Sequence, residues 1–338
     1  MSRTYREAGV DIDEWNRTLP RIAAAAAGTG NASVLGGVGG FGSLFRFDPA
    51  THPDPVLVAS TDGVGTKLRV AQAMERFDTI GIDLVNHCIN DIAVSGADPL
   101  FFLDYLGVGK LNADRVTEIV GGIADACAAA GVALVGGETA ELPGIYESGD
   151  FDLAGFIVGV VARAELIDGS AVKEGDTVIG LPSSGLHTNG YSLARRVLPP
   201  DTWKRAMPGV ERTIGETLLE PHRSYLDEIR LLRRAVEVRA FAHITGGGWT
   251  ENVPRTLPDG LGIEVETGSW PVPAIFTLIQ SAGDIGDEEM ARTFNLGIGL
   301  TAVVPADGTD AALAALPEAR TVGRVVAVEP GAPRVRFD

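Results

Sequence analysis

The sequence predicts a two-domain α/β protein, and three observations lead there. Its 338 residues exceed the ~100–200 that a single domain usually holds. Apolar runs of strand length alternate with segments of helical period. Midway, the polar stretch Asp168–Lys173 interrupts both patterns, which predicts domains of 1–168 and 169–338.

Taken in order, Pro55–Thr61 and Pro99–Val108 read as extended, and Lys67–Phe77, Gly81–Gly96 and Asn112–Gly131 as helices. Val132–Gly137 is short, apolar and β-branched enough for a buried strand, and Asp150–Arg163 for a longer one. In the second half Thr177–Leu181, Gly262–Glu266, Gly299–Val304 and Gly323–Val328 read as strands. Helical patterns fall at Tyr191–Leu198, Glu216–Ala235, Ala274–Ala282 and Asp310–Leu316. The alanine run Ala23–Ala27 favours helix and carries no chemistry.

Charge narrows the partners. Lys and Arg number 28 against 45 Asp and Glu, a formal charge of -17, which opposes binding to a nucleic-acid backbone. A small anionic ligand needs only a local field from backbone N–H groups, a few cations or a metal ion. The two cysteines, Cys88 and Cys127, sit in apolar segments of helical pattern and suggest neither a disulfide framework nor a thiolate metal site. The N-terminal charges Arg3, Arg6, Glu7, Asp11, Asp13 and Glu14 leave no apolar core for a secretory signal, and Leu153–Ala162 is too short to span a bilayer. A cytoplasmic protein with no membrane partner is expected.

Chemistry concentrates in a few segments. Ser60-Thr61-Asp62-Gly63-Val64-Gly65-Thr66-Lys67 lies between a predicted strand and a predicted helix, a context for phosphate. Gly63 and Gly65 permit close backbone approach, Lys67 supplies a point charge, and Asp62 suits magnesium carrying nucleotide phosphates. The spacing is not that of a Walker A loop, and a plain glycine turn capping a helix accounts for the same residues. On a helical wheel of the next helix, Asp83, Asn86, His87, Asn90 and Asp91 share one stripe with no Lys or Arg among them. Short oxygen-bearing side chains of this kind suggest a cation site, the alternative being a solvated face. His87 alone reads as structural or as a partner of a metal ligand.

Further on, Glu138 of Gly136-Gly137-Glu138-Thr139-Ala140-Glu141-Leu142-Pro143-Gly144 follows a strand, where it can reach a metal or a ribose hydroxyl, or simply be solvated. The glycine run Gly36–Gly42, with Gly39 and Gly40 at its centre, is either a flexible connector or a loop that folds over an anion. Ser183-Ser184-Gly185-Leu186-His187-Thr188-Asn189-Gly190-Tyr191 concentrates hydroxyl, imidazole and amide groups at a strand-to-helix junction. It reads as an oxyanion or phosphate pocket with His187 as acid, base or phosphate donor, or as a helix capped by Asn189 beside a structural histidine. His243-Ile244-Thr245-Gly246-Gly247-Gly248 is a second such junction.

Together these segments closely resemble the phosphoribosylformylglycinamidine cyclo-ligases, or aminoimidazole ribonucleotide synthetases, over nearly the whole chain. Tyr5-Arg6-Glu7-Ala8-Gly9-Val10-Asp11-Ile12, Ile89-Asn90-Asp91, Phe101-Phe102-Leu103-Asp104-Tyr105 and His243–Asn252 join the motifs above. The resemblance implies a homodimer whose N-terminal ATP-binding domains pair their sheets into a shared barrel, each followed by an α/β C-terminal domain. It implies that formylglycinamidine ribonucleotide and ATP become aminoimidazole ribonucleotide, ADP and phosphate with Mg2+. On that basis Asp62, Asn90, Asp91 and Glu138 are the expected metal ligands, and Lys67, Asp91 and His187 the expected catalytic groups. Gly39, Gly40, Asp62, Gly63, Gly65, Thr66, Lys67 and Glu138 are expected around ATP. Ser184, Gly185, His187, Asn189, Thr245, Gly246 and Gly247 are expected around the substrate. Selenophosphate synthetase shares the architecture but usually carries a reactive cysteine near its N-terminus, where this chain has none before Cys88.

Overall fold

The computed structural model describes residues 4–338, so Arg3 lies outside the described residues. The chain divides into two compact units, one of residues 1–92 and 97–164, the other of residues 93–96 and 165–338. In order, the first unit holds α1 (Ile12–Ala27), β1 (Pro55–Gly63), α2 (Leu68–Met74), α3 (Ile80–Ala93), β2 (Asp98–Val108), α4 (Ala113–Ala130), β3 (Ala133–Glu141) and β4 (Phe151–Ala162). Its sheet runs β1-β4-β2-β3, antiparallel except for the β2–β3 pair that α4 connects. A parallel pair needs such a crossover, because a tight turn can only reverse the chain.

One face of this sheet is core: Phe102, Leu106, Leu153 and Ile157 are fully buried there. The other face leaves Leu57 and Phe156 64% and 44% exposed. Helices α3 and α4 approach closely, because a Cβ on Gly81 would lie 2.3 Å from the Ile119 carbonyl oxygen. Helix α1, longer than the alanine run alone suggests, starts at an N-cap where Asp11 accepts from the Asp13 and Glu14 amides.

The second unit holds β5 (Thr177–Pro182), α5 (Tyr191–Val197), α6 (Ile214–Leu218), α7 (Leu226–Ala235), β6 (Ala240–His243), α8 (Gly248–Asn252), β7 (Leu261–Val265), α9 (Ala274–Gly283), α10 (Asp287–Thr293), β8 (Ile298–Val304), α11 (Thr309–Ala315), β9 (Arg320–Ala327) and β10 (Val335–Phe337). The sheet order is β10-β7-β9-β5-β8-β6. Its core gathers Val178, Trp249, Ile263, Ile298, Val322 and their neighbours. The single helix expected over Glu216–Ala235 is in fact two, α6 and α7. Pro221 lies in the break, and a proline there lacks the N–H that a continuous helix would use.

Candidate active site

Asp62 stands at the end of strand β1, which runs through Gly63, and Gly65, at φ +68, lets the chain turn from strand to helix where a side chain would strain. Asp62 Oδ1 accepts the Gly63 amide at 2.6 Å. Helix α3 brings His87 Nε2 to 2.7 Å from Asp62 Oδ2 and 3.7 Å from Asp91 Oδ2. Ser60 Oγ donates to Asp91 at 3.2 Å. Two carboxylates, Asp62 and Asp91, therefore meet around one imidazole and one hydroxyl, and both remain partly exposed. Burial works against charge on His87, but the Asp62 hydrogen bond and the charges of Asp91, Asp62 and Asp83 raise its pKa nonetheless. Burial likewise pushes Asp62 up, and the bond from His87 outweighs it, leaving that carboxyl below its ordinary value.

The rest of the expected cation stripe is packed inside. Asp83 and Asn90 are fully buried and His87 nearly so, which makes it neither a solvated face nor an open metal surface. Lys67 is the main correction. Its Nζ lies 2.8 Å from Asp83 Oδ1, and both side chains are completely buried. The ammonium expected at a phosphate surface is instead half of an interior ion pair.

Glu138 is also elsewhere. Asp62 belongs to edge strand β1 and Glu138 to the opposite edge strand β3, with β4 and β2 between. Three strand spacings put them roughly 14 Å apart within one chain. The second glutamate of that motif, Glu141, is structural: its two oxygens accept the Asp11 and Leu111 amides at 2.7 Å each. Gly39 and Gly40 line a cavity with Gly136, Gly137, Glu138 and Asp104. Asp104 is a site candidate that motif reading passed over. Burial pushes its carboxyl up to about 7, and its one available sign in sequence is an acid among the apolar residues of β2.

In the second unit the two glycine-rich junctions meet. A Cβ on Gly246 would touch Asn189 Oδ1 at 3.2 Å, and Asn252 Nδ2 donates to the carbonyls of Thr245, Gly246 and Gly248. Ser184 Oγ donates to the Pro221 carbonyl, and its amide donates to His187 Nε2 at 3.3 Å. His187 takes φ +62, uncommon for a side-chain-bearing residue, and is 1% exposed. Its ring stacks on His222 at 4.0 Å, and His222 Nε2 lies 3.0 Å from His243 Nε2. His187, expected as an acid, base or phosphate donor or as a structural histidine, is thus buried and packed on a second imidazole. The helix cap is Gly190 rather than Asn189, whose Nδ2 donates to Thr188 Oγ1. Three imidazole nitrogens here lie within 4.8 Å of one another. The His187 and His222 planes are within 19° of parallel, however, so their lone pairs do not converge on one ion.

Comparison with known proteins agrees with this layout. The family described as AIR synthase related protein, N-terminal domain, matches residues 42–161, and its C-terminal counterpart matches residues 173–336. Phosphoribosylformylglycinamidine cyclo-ligase of Anaeromyxobacter dehalogenans (strain 2CP-1 / ATCC BAA-258) is 55% identical over 339 residues, covering 98% of each chain. That of Desulfitobacterium hafniense (strain Y51) is 53% identical over 310 residues, 92% of this chain and 91% of its own. Among solved structures, the hydrogenase maturation protein HypE of E. coli superposes with a TM-score of 0.68 at 18% identity, covering 96% and 94% of the two chains. HypE in complex with ATP gives 0.67 at 17% identity, covering 96% and 90%. Thiamine-monophosphate kinase from Stenotrophomonas maltophilia K279a gives 0.65 at 19%, covering 95% of each. At such identities these structures establish a shared fold.

Proposed function

The chain belongs to the AIR synthase family, and from that premise we propose how its residues divide the work of an ATP-dependent cyclo-ligase. The reaction converts formylglycinamidine ribonucleotide and ATP to aminoimidazole ribonucleotide, ADP and phosphate, a ring closure of purine biosynthesis. An amide-type oxygen leaves poorly as oxide. Phosphorylation turns it into a leaving group, and the neighbouring amidine nitrogen then closes the ring on the same carbon. Closure is intramolecular, so the protein's share is positioning and charge stabilisation.

The single observation that carries the site assignment is the meeting of Asp62 with Asp91. Their hard oxygen donors, partly open to solvent, fit magnesium better than a softer metal. Magnesium, when bound there, would neutralise phosphate oxygens. Gly63, Gly65 and Thr66 form the turn beside the pair, with the Gly63 amide already given to Asp62, while His87 orients Asp62. The 183–190 and 245–247 loops hold the ribonucleotide substrate through hydroxyl, amide and backbone groups. In this reading Lys67 stabilises the fold behind the site and touches no phosphate.

A homodimer is part of the same proposal. Asp62 and Glu138 sit on opposite edges of one sheet, so a Glu138 that joins a carboxylate pair would have to come from a second copy. The exposed Leu57 and Phe156 on the uncovered sheet face favour pairing of two such sheets. Residues 1–168 then form the ATP-binding and dimerisation domain and 169–338 the α/β domain of the substrate loops. The enzyme works in the cytoplasm, in keeping with two buried, free cysteines and no described helix long and apolar enough to cross a membrane.

Incubating the purified protein with formylglycinamidine ribonucleotide, ATP and magnesium should yield aminoimidazole ribonucleotide and ADP in equal amounts. Folded, metal-replete protein that leaves the substrate unchanged would refute the assignment.

A further inference from the structure

The two loops that hold the ribonucleotide in this reading, 183–190 and 245–247, both rest on one short segment ahead of β8. Asn295, only 3% exposed, engages both polar atoms of its side chain there. Its Nδ2 donates to the Gly185 carbonyl at 2.8 Å, and its Oδ1 accepts the Ser183 hydroxyl at 3.0 Å and the Gly297 amide at 2.9 Å. Its own carbonyl accepts Trp249 Nε1 at 3.0 Å, and Trp249 stands in the first turn of α8, directly after the 245–247 junction. Two residues on, the Gly297 carbonyl accepts the Ser183 amide at 2.9 Å. The side chain of Asn295 therefore holds one loop and its backbone the other.

The segment that aims this amide is itself held from several sides. Leu296 takes φ +54 and Gly297 φ +98, and a leucine in the left-handed region is strained and persists only where its surroundings fix it. Here the Leu296 carbonyl accepts Trp270 Nε1 at 2.8 Å, and Trp270 stacks on Trp249 with ring centroids 5.3 Å apart. The Phe294 ring fills the space beside Gly190, where a Cβ would lie 2.2 Å from it. A short amide suits the middle of this arrangement, because the Gly185 carbonyl takes a donor while the Ser183 hydroxyl and Gly297 amide take an acceptor. A carboxylate lacks the donor, and an alkyl group lacks both.

We propose that Asn295 is a positioning residue for the cyclisation, one that sets the two loops holding formylglycinamidine ribonucleotide against each other. Buried as it is, it acts through the loops and not on the substrate. The proposal rests on the reading that places the substrate at those loops, and it adds what fixes their spacing.

The test is steady-state kinetics of Asn295→Leu, which removes donor and acceptor at nearly unchanged volume. KM for formylglycinamidine ribonucleotide should rise about 10-fold or more, and KM for ATP should stay within about twofold. A residue that serves the fold alone would lower the melting temperature and leave both KM values of the folded enzyme as they were; that result overturns the proposal. Equal rises in both KM values, the mark of a general loosening, overturn it too. Trp249→Phe decides the matter if Asn295→Leu does not fold, since it keeps a ring against Trp270 and removes the bond to the Asn295 carbonyl. It should raise KM for formylglycinamidine ribonucleotide about 3-fold or more with no change for ATP, and two unchanged KM values overturn the proposal. Asn189→Ala separates the two levels, because Asn189 belongs to the loop itself. If it raises KM for formylglycinamidine ribonucleotide while the Asn295 and Trp249 variants move nothing, the positioning role fails and the substrate loops stand; if Asn189→Ala is also silent, the assignment of the loops fails as well.

Discussion

Lys67→Met tests whether this lysine serves the fold or the phosphate. Its ammonium lies 2.8 Å from Asp83 Oδ1 with both side chains fully buried. Removing the cation strands a carboxylate in the interior, a loss of about 3–5 kcal/mol. At ~2–4 °C per kcal/mol, the melting transition should fall by roughly 6–20 °C. The double variant Lys67→Met/Asp83→Leu removes both charges and should recover most of that loss, since an apolar pair of similar volume carries no desolvation cost. Calorimetry or urea unfolding of the wild type, both single variants and the double variant completes the cycle. ATP kinetics well below each transition provide the second readout. Refutation has a clear form: Lys67→Met melting with the wild type while KM for ATP rises many-fold. That result would put the ammonium on the nucleotide and void the argument from burial.

The remaining predictions draw on other parts of the first unit. Asp104, with an ordinary value of 3.8 and a folded value near 7, makes stability depend on pH. Below both values the group is protonated folded or unfolded and has no effect; between them the unfolded chain ionises first, so stability falls as pH rises, by on the order of 4 kcal/mol in total. Asp104→Asn should flatten that slope and stabilise the protein at pH 8, and parallel urea titrations of the two proteins from pH 4 to 8 would count against it. Gly81→Ala places a methyl 2.3 Å from the Ile119 carbonyl and 2.5 Å from the Ile123 amide, so α3 and α4 must separate. A destabilisation of about 1–3 kcal/mol is expected, read by thermal melting. Asp91→Asn removes half of the carboxylate pair and should shift half-saturation by magnesium to higher concentration with little change in melting; an identical metal titration would remove Asp91 from the site.

Much was legible in the sequence because it is carried by local pattern. The strand at Asp150–Arg163, observed as β4, and the helix at Asn112–Gly131, observed as α4, follow from apolar periodicity and from Asn112 and Gly131 at the two ends. The strand-to-helix turn after Asp62 was also readable, although the strand runs two residues further than expected, through Gly63. A wheel, however, shows that Asp83, His87 and Asn90 share a side and not what covers that side. Their burial, and the pairing of Asp83 with Lys67, depend on contacts distant in sequence.

By itself, then, the sequence determined the alternation of elements, the chemistry-bearing loops and the family, because these depend on residues near one another along the chain. The tertiary structure alone decided which of those residues share a space. Sheet order put Glu138 three strands from Asp62, and a glycine on β3 made room for the carboxyl on β2. Strand order and burial are sums over contacts distant in sequence, and no local spacing records them.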